Sequence, residues 1–109
     1  MTGSPEMILQ VADLEAASEF YQHHLGLSVF LRQPNLIGLD AGAFRLYLEQ
    51  GPPLGPVFEF FVPDLQQAKA GLSAAGCEII DDNPTIPRCY VRDPFGVVFN
   101  LAEKKPADG

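Results

Sequence analysis

The side chains able to do chemistry recur at alternate positions of four apolar segments. Glu6, Ile8 and Gln10 alternate with Met7, Leu9 and Val11, and Val57, Glu59 and Phe61 alternate with Phe58, Phe60 and Val62. Arg45, Tyr47 and Glu49 hold the same phase in a third segment, and Val98, Asn100 and Ala102 in a fourth. Period two marks a strand with one face on a core and the other elsewhere. The phase that carries Gln10, Arg45, Tyr47, Glu49, Glu59, Phe61 and Asn100 is the face away from the core. Carboxylates, amides and aromatic rings on one wall suit a small guest that is cationic and partly aromatic. Isolated charges in a partly dry cavity are costly, so Arg45 and Glu59 are expected to pair with each other or with the guest.

Other reactive groupings have little behind them. His23 and His24 fall in the last turn of a helix, where histidine suits the helix dipole. Adjacent helical residues diverge by about 100°, so the pair is not expected to share an ion. No Ser–His–Asp or Cys–His arrangement has positional support, and the glycines lack the order of a phosphate loop. Cys77 and Cys89 lack CxxC spacing and read as free thiols packed as small hydrophobes.

The elements that must position the wall are legible in order. Residues 1–5 read as a loose terminus, followed by a strand over 6–11. Asp13 can cap a helix whose apolar stripe is Leu14, Ala17, Tyr21 and Leu25, widened by Phe20, and Gly26 ends it. Strands are expected over 28–32, 36–40 and 44–49, with turns at Pro34-Asn35 and Ala41-Gly42. Gly51 to Pro56 reads as a linker too rich in proline and glycine for regular structure. The plan then repeats: a strand over 57–62, a helix capped by Asp64 with Leu65, Ala68, Leu72 and Ala75 on its stripe, Gly76 as its stop, and strands over 77–80, 88–92 and 97–102. Residues 103–109 are polar and expected to fray.

The repetition is an internal duplication. VADLEAASEFYQHHLG matches VPDLQQAKAGLSAAG with their aspartates, Asp13 and Asp64, 51 residues apart, and DAGAFRLYLE matches DPFGVVFNLA with Asp40 and Asp93 53 apart. A unit present twice is no solenoid. The expected fold is α+β: two tandem βαβββ modules forming a cup-shaped mixed sheet with helices on the outer face. The 109 residues read as one domain, with module one over about 6–50, a linker over about 51–56 and module two over about 57–103.

Two stretches carry a family resemblance. VADLEAASEFYQHHLGL resembles the first strand–helix motif, and DPFGVVFNLA the last hairpin, of the vicinal-oxygen-chelate superfamily, which includes glyoxalase I, bleomycin-resistance proteins and extradiol dioxygenases. The resemblance spans about residues 6–103. In the family's metal enzymes it implies ligands at three positions, here Glu6, Val57 and Asn100. Valine cannot coordinate, and Asn100 stands where a glutamate is usual. The resemblance therefore implies the metal-free, bleomycin-resistance-like branch: a protein that sequesters a guest between two subunits and does no chemistry. Tyr90, three residues before Asp93, matches a substrate-contacting tyrosine of the similar fosfomycin-resistance enzymes. The alternatives are a metal-dependent lyase, isomerase or dioxygenase of the glyoxalase type, with a divalent ion on Glu6 and Glu49 or Glu59, and a superfamily member serving another metabolite.

Bulk properties exclude other classes. Fourteen acidic against seven basic side chains give a net charge of −7, which argues against nucleic acid. No apolar run approaches the roughly 20 residues of a membrane span, and MTGSPEMILQ lacks the basic region and apolar core of a signal peptide. The expectation is a cytoplasmic homodimer, since a small duplicated chain leaves strand edges open.

Overall fold

A computed structural model describes residues 1–105 of the chain. The protein is α+β and consists of two βαβββ modules. Module one runs β1 (Thr2–Val11), α1 (Leu14–Leu25), β2 (Ser28–Gln33), β3 (Leu36–Asp40) and β4 (Arg45–Gln50). Module two runs β5 (Leu54–Val62), α2 (Leu65–Ala74), β6 (Glu78–Asn83), β7 (Arg88–Arg92) and β8 (Val98–Glu103). By proximity the chain divides into a compact unit over Pro5–Val57 and a second that joins Met1–Ser4 to the residues from Phe58 onward.

Each module builds a mixed four-stranded sheet in the same way. In module one the strand order is β2-β3-β4-β1, with β1 parallel to β4 and the other pairs antiparallel. In module two it is β6-β7-β8-β5, with β5 parallel to β8. The modules share an irregularity: the register shifts between Val29 and Leu31 in β2 and between Ile79 and Asp81 in β6. The cap aspartates act alike too. Asp13 Oδ1 accepts from the Ala16 N–H at 3.1 Å, and Asp64 Oδ1 from the Gln67 N–H at 3.0 Å. So do the turn aspartates. Asp40 Oδ1 takes the Gly42 N–H at 2.8 Å, and Asp93 Oδ1 takes the N–H groups of Phe95 and Val97 at 2.9 Å each.

The helix of each module covers one face of its own sheet. Leu14, Ala17 and Tyr21 of α1 pack with Met7, Leu9, Ile37, Leu39, Leu46 and Leu48. Leu65, Ala68 and Leu72 of α2 pack with Phe60, Val62, Cys89, Val91 and Leu101. The alternation read from the sequence therefore holds: the phase bearing Glu6, Arg45, Glu59 and Asn100 turns away from the helices.

Several boundaries differ from expectation. Residues 2–5 are not a loose terminus but the start of β1; their small and polar side chains carry no alternation that could announce a strand. Leu54 to Pro56, expected as linker, already belong to β5, because Gly55 accepts a backbone that other residues resist. Phe20 and Leu25 do not join the stripe of α1 and stay exposed; Ser18 is buried instead, its hydroxyl bonded by Gln22 at 2.9 Å. Ala75 is exposed and caps α2, one residue before the expected stop. Glu103 closes β8, and the Lys104 N–H donates to the Val62 carbonyl at 2.8 Å, so neither belongs to a frayed tail. The remainder of that expected tail, 106–109, lies outside the described residues.

Candidate functional site

On the face of module one away from α1, parallel pairing sets Glu6 beside Arg45, Ile8 beside Tyr47 and Gln10 beside Glu49. Cross-strand neighbours on one face interact, and here the polar pairs bond directly. The Arg45 guanidinium donates through Nε to both Glu6 oxygens, at 3.0 and 2.8 Å, and through Nη2 to one of them. These hydrogen bonds hold the Arg45 guanidinium well above its ordinary pKa. Gln10 donates to Glu49 at 2.9 Å. Burial, then the Glu6 carboxylate, pushes the Tyr47 phenol up from its ordinary value.

A half-open cavity of about 500 Å³ lies against Phe30, Asp40, Gly42, Arg45 and Tyr47. The Phe30 ring meets Tyr47 edge-on at 5.7 Å. It lies over Gly38, where a Cβ would come within 2.7 Å of the ring. The sequence reading missed Phe30 and Asp40. Phe30 is the extra residue at the register shift in β2, so simple alternation cannot assign it a face. Asp40 could have been found, because the turn links it to Arg45, its cross-strand partner.

Module two turns a second cluster away from its helix. The Asn100 Nδ2 donates to Glu59 at 3.0 Å, and its Oδ1 accepts the Cys89 backbone N–H at 2.8 Å. Asn100 is 3% exposed. The β7–β8 ladder ends at the pair Tyr90 and Asn100, so the Asn100 side chain supplies the acceptor for the next N–H. Tyr90 is buried beside it, with the Arg88 guanidinium 4.5 Å from its ring centre. Phe61 lies under the Lys104 ammonium at 4.9 Å.

Gln10, Arg45, Tyr47 and Glu49 thus share one face of module one, and Glu59, Phe61, Tyr90 and Asn100 one face of module two. Each of the two charges expected to need a partner has one within its own module: Arg45 pairs with Glu6, and Glu59 accepts from Asn100. Glu6 and Arg45 stand directly opposite each other across the β1–β4 pair, the position at which opposite charges interact most favourably.

The positions at which the resemblance implies a metal do not fit one. Both Glu6 oxygens are engaged by Arg45, Val57 has no donor atom, and the Asn100 oxygen is taken by the Cys89 N–H. Nor can Glu6 and Glu49 share an ion: four residues along the face separate their cross-strand pairs, roughly 13 Å at the rise of a strand. Among the described residues no three His, Cys, Asp or Glu side chains are grouped to hold a metal ion. His24 instead packs on Phe20, ring centres 5.0 Å apart. Both cysteines are free, and burial pushes the Cys89 thiol up.

Two βαβββ modules, with the polar face of each turned from its helix, define the class. The chain belongs to the Glyoxalase/Bleomycin resistance protein/Dioxygenase superfamily, whose description matches residues 4–101. The fold is similar to that of homoprotocatechuate 2,3-dioxygenase from Brevibacterium fuscum, at 25% identity and a TM-score of 0.69 over 96% of this chain and 37% of that one. It is also similar to methylmalonyl-CoA epimerase from Streptomyces coelicolor, at 20% identity and a TM-score of 0.66 over 97% and 99% of the two chains. A hypothetical protein from Bacillus halodurans shares the fold at 17% identity and a TM-score of 0.66, over 95% of each chain. The chain spans about a third of the dioxygenase's length. No curated protein sequence matches it. No helix among the described residues is long and apolar enough to cross a membrane.

The Tyr47 environment makes a pH prediction. A phenol whose folded pKa is raised contributes stability that is complete below its unfolded value, near 10, and is lost as pH rises through the folded value. Relative to Tyr47→Phe, the wild type should lose stability as pH climbs past about 10. Urea midpoints of the two proteins between neutral and alkaline pH check this; parallel curves would show that Tyr47 titrates as if in water.

Proposed function

We propose that the protein binds and sequesters a small molecule, cationic and partly aromatic, as a metal-free homodimer, and that it performs no chemistry on it. The observation that carries this reading is the fate of the donor atoms. Glu6, Asn100, Gln10 and Glu59 are all occupied by hydrogen bonds within the protein, so the polar faces are built as fixed walls rather than as an open coordination sphere. The face of module one carries Glu6, Asp40 and Glu49 against the single cation Arg45, a balance that favours a positive guest. Phe30 and Tyr47 beside them offer ring faces to it. Arg45, Tyr47, Glu49, Gln10, Glu59, Phe61, Tyr90 and Asn100 are the binding residues in this reading. The exposed Phe20, Phe58 and Phe95 supply apolar surface for pairing of chains.

Similarity to a dioxygenase supports a second reading, catalysis at a divalent metal, with Glu6 as the one strong donor at the implied positions. A single experiment separates the two. Protein purified without chelator is offered nickel, zinc, manganese and iron, then assayed by elemental analysis and titrated with the aromatic cation thioflavin T and an anionic dye of similar size. The binding reading expects far less than one metal per chain and a saturable preference for the cation. Tyr47→Ala should weaken that binding about tenfold, or about 1.4 kcal/mol. Light scattering of the same samples should read two chains per particle. One metal per chain that is lost in Glu6→Ala overturns the reading in favour of an enzyme.

A further inference from the structure

The duplication supplies an internal control for every position of module two, and one region fails to match. The turn aspartates and the sheet registers superimpose Tyr47 on Asn100 and Gly38 on Tyr90, which sets Ile37 against Cys89. The cap aspartates set Leu14 against Leu65 and Ser18 against Lys69. In module one the space between helix and sheet is filled: Leu14, Ser18 and Ile37 are buried, the last two completely. In module two a smaller Cys89 replaces isoleucine, Lys69 replaces serine, and no residue of α2 is fully buried. A half-open cavity of about 400 Å³ results, on the helix side of the module, away from the polar face described above.

We propose that this cavity is a second binding site, for an uncharged, largely apolar ring compound. Its volume falls in the range of small-molecule sites, about 300–1,000 Å³. Cys89 and Leu101, each 1% exposed, line its inner end, and Leu65, Pro84 and Pro87 form apolar walls. A neutral thiol is a soft contact for an aromatic edge. The charges at the mouth define the ligand by having partners already. The Lys69 ammonium is bonded to Asp82, while the Arg88 guanidinium is turned to the other face of the sheet, 4.5 Å from the Tyr90 ring centre and 3.7 Å from Asp81. At the inner end the Cys89 N–H is spent on Asn100. A charged ligand would have to break one of these pairs or remain unpaired against apolar walls, both costly. Glu103 at the mouth further disfavours an anion, and because it is exposed and solvated it repays a buried cation little.

Indole, indole-3-acetate and tryptamine share one ring system and differ in charge, so they test the site and its class together. Each is titrated into ¹⁵N-labelled protein while the backbone amide signals of Leu65, Cys89 and Leu101 are followed. Indole should shift all three saturably, and the two charged probes should bind at least tenfold more weakly. Cys89→Ile restores the module-one residue and fills the inner end. Gln66→Trp closes the mouth from an exposed helix position and perturbs no core contact. Each should abolish the indole shifts, and Gln66→Trp serves alone if Cys89→Ile does not fold. The proposal is overturned if indole gives no saturable shift at these amides, if a charged probe binds as tightly, or if the shifts survive a folded filling variant.

Discussion

Gly55→Ala is expected to destabilise the protein by about 3 kcal/mol, the sum of a strained backbone and a forced contact. Gly55 stands at φ +115°, outside the conformations an alanine adopts. A Cβ there would lie 2.9 Å from the Ile8 carbonyl oxygen and 3.0 Å from the Val57 nitrogen. Both are main-chain atoms, so no side chain can swing aside to relieve the contact. The strand β5 would have to move off β1 at this point, and Val57, fully buried, would move with it. Gly3→Ala is the control: a Cβ at Gly3 meets nothing within 4 Å, and its effect should stay within about 0.5 kcal/mol. Urea denaturation of both variants reads the difference. Equal midpoints for Gly55→Ala and wild type would mean that the close approach relaxes without cost.

Asn100→Leu should cost about 2–3 kcal/mol. Leucine keeps the branched shape and the number of side-chain heavy atoms and removes both hydrogen bonds of a side chain that is 3% exposed. The larger part of the cost is the Cys89 N–H, left buried without the acceptor that Asn100 supplies at 2.8 Å. The smaller part is Glu59, which is half-exposed and can turn to water. Glu59→Gln separates the two: its amide oxygen still accepts from Asn100, so its cost should be below about 1 kcal/mol. Equilibrium unfolding of the two variants tests the division. A loss with Glu59→Gln equal to that with Asn100→Leu would shift the weight to the carboxylate. Either outcome bears on function, because Asn100 serves as an internal acceptor at a position where the family resemblance implies a metal ligand.

Much of this architecture is written locally. Asp13 and Asp64 cap their helices through their own side chains, and Gly26 takes the left-handed conformation that ends α1, at φ 70°. Asp40 and Asp93 close their turns within four residues. Period-two alternation assigned β1, β4, β5 and β8 their faces, because the pleat admits one apolar side. From these the two modules, the duplication and the superfamily could be read without coordinates.

What local chemistry could not supply was the choice of partner. That Arg45 bonds Glu6 and leaves Glu59 to Asn100 depends on which strands lie side by side and in what register, a matter of residues about forty positions apart. The burial of Ser18 and the exposure of Phe20 and Leu25 reversed the order that hydrophobicity alone would set, because the angle of α1 on its sheet decides which part of the stripe is covered. Phe30 came to the cavity through a register shift that breaks alternation, and only the bare Gly38 opposite gives its ring a place. The residue types and their faces were therefore determined by the sequence of each strand. The hydrogen bonds, the two cavities and the use of Asn100 as a clamp were decided by the tertiary structure, since each needs atoms brought together from distant parts of a module.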